Sequence, residues 1–514
     1  MADVGQVRKQ KRARSSRSPQ AYAAFDRRYS APLLPSFSIA ARLFTRHNVL
    51  TRPRLRAILQ RPFVNAVRSA LSRLPSPVSR PPFMPPTRIG RRVAIVAGVR
   101  TPFARAGTLL KTLSAIELGR LCVAELVQRT GLAGEAVDAL VFGTVVPSVL
   151  APNIAREVSL IPHLPKGVQA YSVSRACASA NQAITDGADQ IALGHADVVI
   201  AGGAESLSNV PILHSRGFSD ALVAASRAKT LTQRLQALAR LRPKDLIPIT
   251  PTIAEPSTGE SMGQSAEKMA KINAIPRAAQ DALALASHHK ASAGTVDGRL
   301  TREVAPVWLP PRFEETLVRD NGIRADATLA ALAALKPVFD TRYGSVTAGN
   351  ASPLTDGAAA VLLMSEERAH ALGYTPLGFI RAYAYAALDP GEQLLMAPVL
   401  AAPVALRRAG LSLGDIDLVE MHEAFAAQVL SNIQGLASPV WAARAGVNRA
   451  VGDVDPDRLN VLGGSIAIGH PFGATGARIT TTLCHELARR GGQFGLMTVC
   501  AAGGLGFAMV VERV

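Results

Sequence analysis

From Arg92 to the C-terminus, short β-branched runs alternate with amphipathic stretches, and this rhythm constrains the fold more than any other feature of the chain. VAIVAG is followed by SAIELGRLCVAELVQRTG and then by VDALVFGTVV. Short apolar runs read as strands, and the longer amphipathic stretches between them as crossover helices, so the alternation predicts an α/β sheet. The pattern also recurs. GLAGEAVDALVFGTVV at 131–146 reads like GLSLGDIDLVEMHEAF at 410–425, each a helix end followed by a Gly-preceded acidic turn and a strand. Two similar halves are predicted, the first spanning 92–337 and the second 338–514.

Between about Ser206 and Pro337 the strand rhythm lapses and the chain reads as helical and loop-rich. An insert of this length in a compact body is usually functional, and we expect a loop domain here. Within it, Ala221–Leu246 carries Arg227, Lys229, Arg234, Arg240, Arg242 and Lys244 among leucines and alanines. That predicts a basic amphipathic helix with a solvated charged face, contact with an anionic membrane being the second reading.

The formal net charge of +19 would point to nucleic acid if it were spread evenly. It is not. Residues 1–92 hold twenty Lys or Arg and two acidic residues, whereas the remaining 422 hold thirty-seven basic and thirty-six acidic residues. The near-neutral body carries no nucleic-acid recognition module. Residues 1–91 read as a basic extension too rich in Arg, Ser and Pro for a compact core. Such a leader resembles a mitochondrial transit peptide, and equally a bacterial extension or a misassigned start. The expected location is the bacterial cytoplasm, with the mitochondrion as the alternative.

The richest apolar run, Leu394–Leu406, is broken by Pro398 and Pro403 and falls short of the roughly 18 residues needed to cross a bilayer. Cys122, Cys177, Cys484 and Cys500 lie far apart, without metal-ligand spacing or a disulfide framework, so a reducing compartment and no metal site are expected. There is no Walker loop or dinucleotide fingerprint, which leaves nucleotide hydrolysis and hydride transfer unsupported.

Four segments carry potential chemistry. In VSRACASANQAITDG a strand-like run ends at Cys177 where a helix begins, and a thiol at a helix start is expected to have a lowered pKa. GGSIAIGHPFGATGARI holds His470 in a Gly-rich turn. CAAGGLGF places Cys500 at a strand end before glycines, and EMHEAFAAQ puts His422 and Glu423 at a strand-to-helix junction. Taken alone each has a plain structural explanation: a small buried cysteine, a satisfied histidine, a helix-start acid.

Together, with GNASPLTDGAAA at 349–360, these segments occur in the order of the thiolase family, and the body from Arg92 to Val514 resembles that family throughout. HEAF, where many thiolases have Asn before Glu, and CAAGG make it most similar to the β-subunit branch of the fatty-acid oxidation complex. The resemblance implies a layered αβαβα body and cleavage of 3-ketoacyl-CoA by CoA through an acyl-cysteine. It makes Cys177 the nucleophile, His470 its base and Cys500 the acid/base for the enolate. It places one oxyanion hole at the backbone N–H groups of Cys177 and Ala502, the other at His470 and His422, with Glu423 beside them. CoA is expected along Ala348, Gly349 and Ser352, with Met262 near the acyl path, CoA being a substrate and no cofactor being needed. A homodimer is implied, with a hydratase/dehydrogenase α-subunit as a further partner. The alternatives are a short-chain acetoacetyl-CoA thiolase, which shares every catalytic residue, and a non-catalytic acyl or lipid carrier.

Overall fold

The computed structural model describes residues 90–249 and 254–514. All but the last two residues of the expected basic extension lie outside the described residues. The principal strands are β1 (Val93–Arg100), β2 (Ala139–Gly143), β3 (Gln169–Val173), β4 (Val198–Glu205), β5 (Thr355–Ser365), β6 (Gly378–Ala387), β7 (Leu418–Met421), β8 (Phe494–Ala501) and β9 (Leu505–Glu512). The principal helices are α1 (Ala115–Thr130), α2 (Ser179–Ala192), α3 (Arg216–Arg227), α4 (Leu231–Leu238), α5 (Met262–Ile272), α6 (Arg277–Val296), α7 (Pro398–Ala409), α8 (Ala426–Leu436) and α9 (Thr475–Arg490).

Local chemistry repeats between the halves. Ser114 and Glu117 form a capping box that starts α1, and Gly131, at φ 64°, ends it in the left-handed conformation that favours glycine. Gly410, at φ 74°, ends α7 in the same way. After each glycine comes one tight turn and then a strand, β2 in one half and β7 in the other. The repeat read from the sequence is therefore a structural repeat.

The sheet order extends it. Strands run β7-β8-β9-β6-β1-β5-β4-β2-β3, and the short strand Ala104–Arg105 on β5 completes a ten-stranded sheet. Strands β2 and β4 are parallel while β5 is antiparallel to both β4 and β1. In the second half β7 and β8 are parallel while β9 is antiparallel to both β8 and β6. The halves join at β1 and β6 through only two residue pairs, Ala94–Phe379 and Ile95–Gly378.

Side-chain alternation then sets the layers. Alternate residues of both halves, such as Val141, Val199, Leu363, Met497 and Phe507, pack with α2 and α9 in one central core. The opposite faces, through Leu140, Ile200 and Leu362, pack on α1, and through Leu496 and Val510 on α7 and α8. The result is helix, sheet, paired helices, sheet, helix, the layered α/β architecture expected. Because both faces of each sheet half are covered, β4 and β5 are buried along their whole length.

Two expectations need correction. β5, assigned by position to the second half (338–514), sits between β1 and β4 in the first half's part of the sheet. The chain leaves that sheet at Glu205, builds the loop domain, and returns 150 residues later to fill the slot, so sequence distance concealed its membership. The basic stretch Ala221–Leu246 is not one helix. It breaks at Ala228–Thr230, where Thr230 caps α4 by accepting the Gln233 N–H. Among the described residues, no helix is long and apolar enough to cross a membrane.

Candidate active site

The two central helices begin at equivalent places in the two halves, and the reactive groups stand at their starts. Ahead of α2 the chain turns through Ala176, a non-glycine at φ 45°. Ser179 pins this elbow: its hydroxyl accepts the Arg175 N–H at 2.8 Å and donates to the Ala176 carbonyl at 2.6 Å. Backbone held in a sparsely populated conformation by such bonds is a feature of functional sites, and here it projects Cys177 off the helix start.

His470 approaches from the other half. The loop ahead of α9 lies against β4, where a Cβ on Gly203 would meet the Gly473 carbonyl oxygen at 2.0 Å, so only glycine permits the approach. Glu205, at the end of β4, fixes the loop further by accepting the N–H groups of Gly473, Val145 and Val146 and the Thr144 hydroxyl. The His470 N–H donates to Thr355 on β5, and its Nδ1 lies 2.6 Å from Thr475 Oγ1. These bonds set His470 Nε2 at 3.2 Å from Cys177 Sγ.

His422, from the turn after β7, lies 4.1 Å from His470 ring to ring. One ring nitrogen from each histidine and Cys177 Sγ all fall within 4.8 Å of one another. His422 Nδ1 is 2.9 Å from Ser465 Oγ, and its buried Nε2 has no protein partner. Cys500 ends its run on β8, buried and close enough to Cys177 for their charges to interact. The N–H groups of Ala502 and Cys177 both act on Cys177 Sγ, which fits a shared oxyanion hole. The Ala502 turn is anchored by the Gly503 N–H donating to Glu255 at 2.8 Å.

Desolvation outweighs the helix start at the Cys177 thiol, although the residue as a whole is only partly buried. It pushes the Cys177 thiol up to about 12, against the lowering expected from the sequence, and lowers His470 to about 3. The resting pair is a neutral thiol facing a neutral imidazole, and a thiolate forms only as the proton passes to Nε2. Burial and the neighbouring Cys177 likewise raise Cys500 well above its ordinary range. A pH dependence follows. An imidazole of ordinary pKa would lose its base function as pH falls through 6.5, whereas His470 stays deprotonated down to about 3. The acid limb of kcat/KM is therefore expected below pH 5, and an apparent pKa near 6.5 in the free enzyme would contradict this.

The remaining residues named from the sequence divide. Ala348, Gly349 and Ser352 line one cavity of about 640 Å³, whose walls include Leu354 and Ile466 and whose far end carries Arg105, Arg324 and His288. Leu354 pairs with the His470 backbone, so the cavity borders the segment that carries His470. Met262 is not on its wall and packs instead in the second half's outer core. Glu423 touches none of the reactive groups: its carboxylate accepts from Ser287, Asn460 and the Ile466 N–H, and so positions the GGSIAIGHP segment. Sequence reasoning missed Glu205, Glu255, Ser465 and Arg478. Two of them stand inside quoted motifs, but their partners are backbone groups or distant side chains that no motif displays.

Most of the described chain is similar to known proteins. The family model "Thiolase, N-terminal domain" matches residues 93–367, and "Thiolase, C-terminal domain" matches 374–513. A 3-ketoacyl-CoA thiolase of Aeromonas salmonicida (strain A449) is 53% identical over 427 residues, which is 83% of this chain and 98% of that protein. One from Yersinia pestis (strain Pestoides F) is 51% identical over the same shares. Among solved structures, the Bacillus anthracis acetyl-CoA acetyltransferase is similar with a TM-score of 0.70 and 34% identity, covering 83% of this chain and all of that one. Human mitochondrial 3-ketoacyl-CoA thiolase in complex with CoA is similar with a TM-score of 0.70 and 33% identity, covering 82% and 98%.

Proposed function

The chain belongs to the thiolase family of acyltransferases, and from that premise we propose that it cleaves 3-ketoacyl-CoA with CoA, giving acetyl-CoA and an acyl-CoA shortened by two carbons. The observation that carries this reading is the 3.2 Å approach of His470 Nε2 to Cys177 Sγ. Cys177 gives its proton to His470 and its sulfur attacks the 3-keto carbon. The oxygen on that carbon falls to the N–H groups of Cys177 and Ala502, the two backbone groups that favour negative charge on the sulfur. The bond between C2 and C3 breaks, its electrons form the acetyl-CoA enolate, and His470 and His422 hold the enolate oxygen. Cys500 protonates C2, and acetyl-CoA leaves. Incoming CoA then gives its thiol proton to the Cys500 thiolate and attacks the acyl carbon. Cys177 departs and recovers its proton from His470. Covalent handle and proton carriers are all side chains, so the reaction uses CoA as substrate and needs no further cofactor.

Mass spectrometry after incubation with a 3-ketoacyl-CoA tests this: an acyl adduct on Cys177 that CoA discharges is expected. Its absence, with acyl-CoA still bound tightly, would favour the carrier reading. Turnover confined to acetoacetyl-CoA would favour the short-chain one.

The assembly we infer is a homodimer, supported by β3, an edge strand paired on one side only, where Tyr171 is 39% exposed. A hydratase/dehydrogenase subunit is the further partner. Helices α3 and α4 expose Leu222, Val223, Leu231 and Leu235 beside basic residues, which supports docking there, with an anionic membrane as the competing occupant. Co-purification from the source cell, with hydratase activity in the complex, distinguishes them. Four free cysteines support a reducing location, which we take to be the bacterial cytoplasm.

A chain beginning at Met84 is expected to be soluble and as active as the full chain, since the family match begins at residue 93 and the relatives are covered almost end to end. Specific activity of the two forms side by side checks this. An inactive shortened form would make the leader part of the working protein.

A further inference from the structure

We infer that Arg478 and Ser465 act as positioning residues that fix the tautomer of His422, making its Nε2–H a permanent hydrogen-bond donor to the reacting substrate. This rests on the thiolase reading for the identity of the acceptor, but the tautomer itself follows from the bonds.

The chain of contacts is short and wholly buried. The Arg478 Nη2–H donates to Ser465 Oγ at 3.2 Å, and Ser465 Oγ stands 2.9 Å from His422 Nδ1. A guanidinium has donors only, so the serine oxygen must accept from it. The serine proton then has one partner to go to, His422 Nδ1, because no other contact of that hydroxyl exists among the described residues. A proton on Nδ1 instead would make the serine oxygen accept twice, leaving its own O–H without a partner and a bare lone pair on Nε2 in a buried site. With Ser465 donating, the Ser465 hydroxyl and His422 Nδ1 are both satisfied, and the His422 proton falls on Nε2, the nitrogen that has no protein partner. Burial, then the charges of His470 and Arg478, hold His422 well below the ordinary histidine range, so the ring is neutral and its single proton sits where the hydroxyl directs it.

His470 makes the contrast. Its Nδ1 partner, Thr475, has no cation on its oxygen and can accept from Nδ1, which frees the Nε2 lone pair to take the Cys177 proton. Two imidazoles 4.1 Å apart are thus committed to opposite tasks by the hydroxyls behind them. One alternates between base and acid. The other only donates.

The test uses full-length protein labelled with ¹⁵N histidine and compares it with Ser465→Ala. In the wild type, His422 is expected to show a pyridine-type Nδ1 and a protonated Nε2, and in Ser465→Ala the two signals should move toward exchange-averaged values. Turnover should fall about tenfold or more, the scale of losing one oriented oxyanion donor or somewhat less, while iodoacetamide alkylation of Cys177 stays within about twofold, since the Cys177–His470 pair is untouched. Ser465→Thr, which keeps the hydroxyl, should restore turnover. If Ser465→Ala does not fold, a double-mutant comparison replaces it. In His422→Asn the amide supplies a donor without any relay, so adding Ser465→Gly there should cost little, whereas in the wild-type background Ser465→Gly costs about tenfold and Ser465→Thr almost nothing. A protonated Nδ1 in the wild type, unchanged His422 signals in Ser465→Ala, or an equal tenfold loss in the His422→Asn background would overturn the inference. Spectra as expected with no thiolysis in any form would leave the tautomer standing and remove the functional reading.

Discussion

Cys177→Ala is expected to abolish the acyl-enzyme and lower turnover by at least about 10⁴-fold, the order seen when a covalent nucleophile is removed. Under the proposed mechanism the acyl chain is held on Cys177 alone, with His422 and His470 beside the sulfur and Cys500 serving the neighbouring carbon. Cys500→Ala should leave the adduct on Cys177 in place and slow turnover by about 10²-fold or more, the usual scale for a general acid/base. Adduct mapping on both variants separates the roles. An adduct that persists in Cys177→Ala and vanishes in Cys500→Ala would exchange the two assignments, and wild-type turnover in both would end the thiolase mechanism for this chain.

The second large effect is expected at His470. With the Cys177 thiol held at about 12 by burial, scarcely any thiolate exists near neutrality without a proton acceptor at hand. His470→Asn keeps the volume and polarity of the site but removes that acceptor, and turnover should fall by about 10³-fold. Alkylation of Cys177 reports the cause. In the wild type its rate should change little between pH 6 and 9, because every molecule carries its own base. In His470→Asn it should rise about tenfold per pH unit, because only thiolate formed by hydroxide reacts. A flat profile in the variant would mean that another group takes the proton.

Much of this was legible in the sequence, and the failures have physical reasons. Gly131 and Gly410 announced the repeat because a left-handed helix end followed by a strand is a local event. Cys177, His470, His422 and Cys500 could be named because the short segments that hold them, each ambiguous alone, together resemble one family in order. The direction of the Cys177 shift could not be read, since the helix start is visible in the sequence but the depth at which it is buried is not. Glu205 was missed because its four donors come from two other loops. Strand β5 was placed in the wrong half because chain order is a poor guide once a loop domain interrupts a sheet. Ser465 and Arg478 gave no signal at all. A serine beside glycines and an arginine on a helix acquire their meaning only when a histidine from another strand is set behind them.

Cys177 and His470, the proposed nucleophile and base, stand 293 positions apart, one ahead of each central helix. Neither half of the chain contains the pair, and the contact exists only once α2 and α9 lie side by side. A nascent or refolding molecule whose first half has closed alone would expose an ordinary, slow thiol. The site's reactivity would switch on at the moment the second half arrives. Cys177 is thus a built-in stopwatch: trapping it with a reagent at successive times after dilution from denaturant would date the docking of the two halves, independently of when either one acquires its secondary structure.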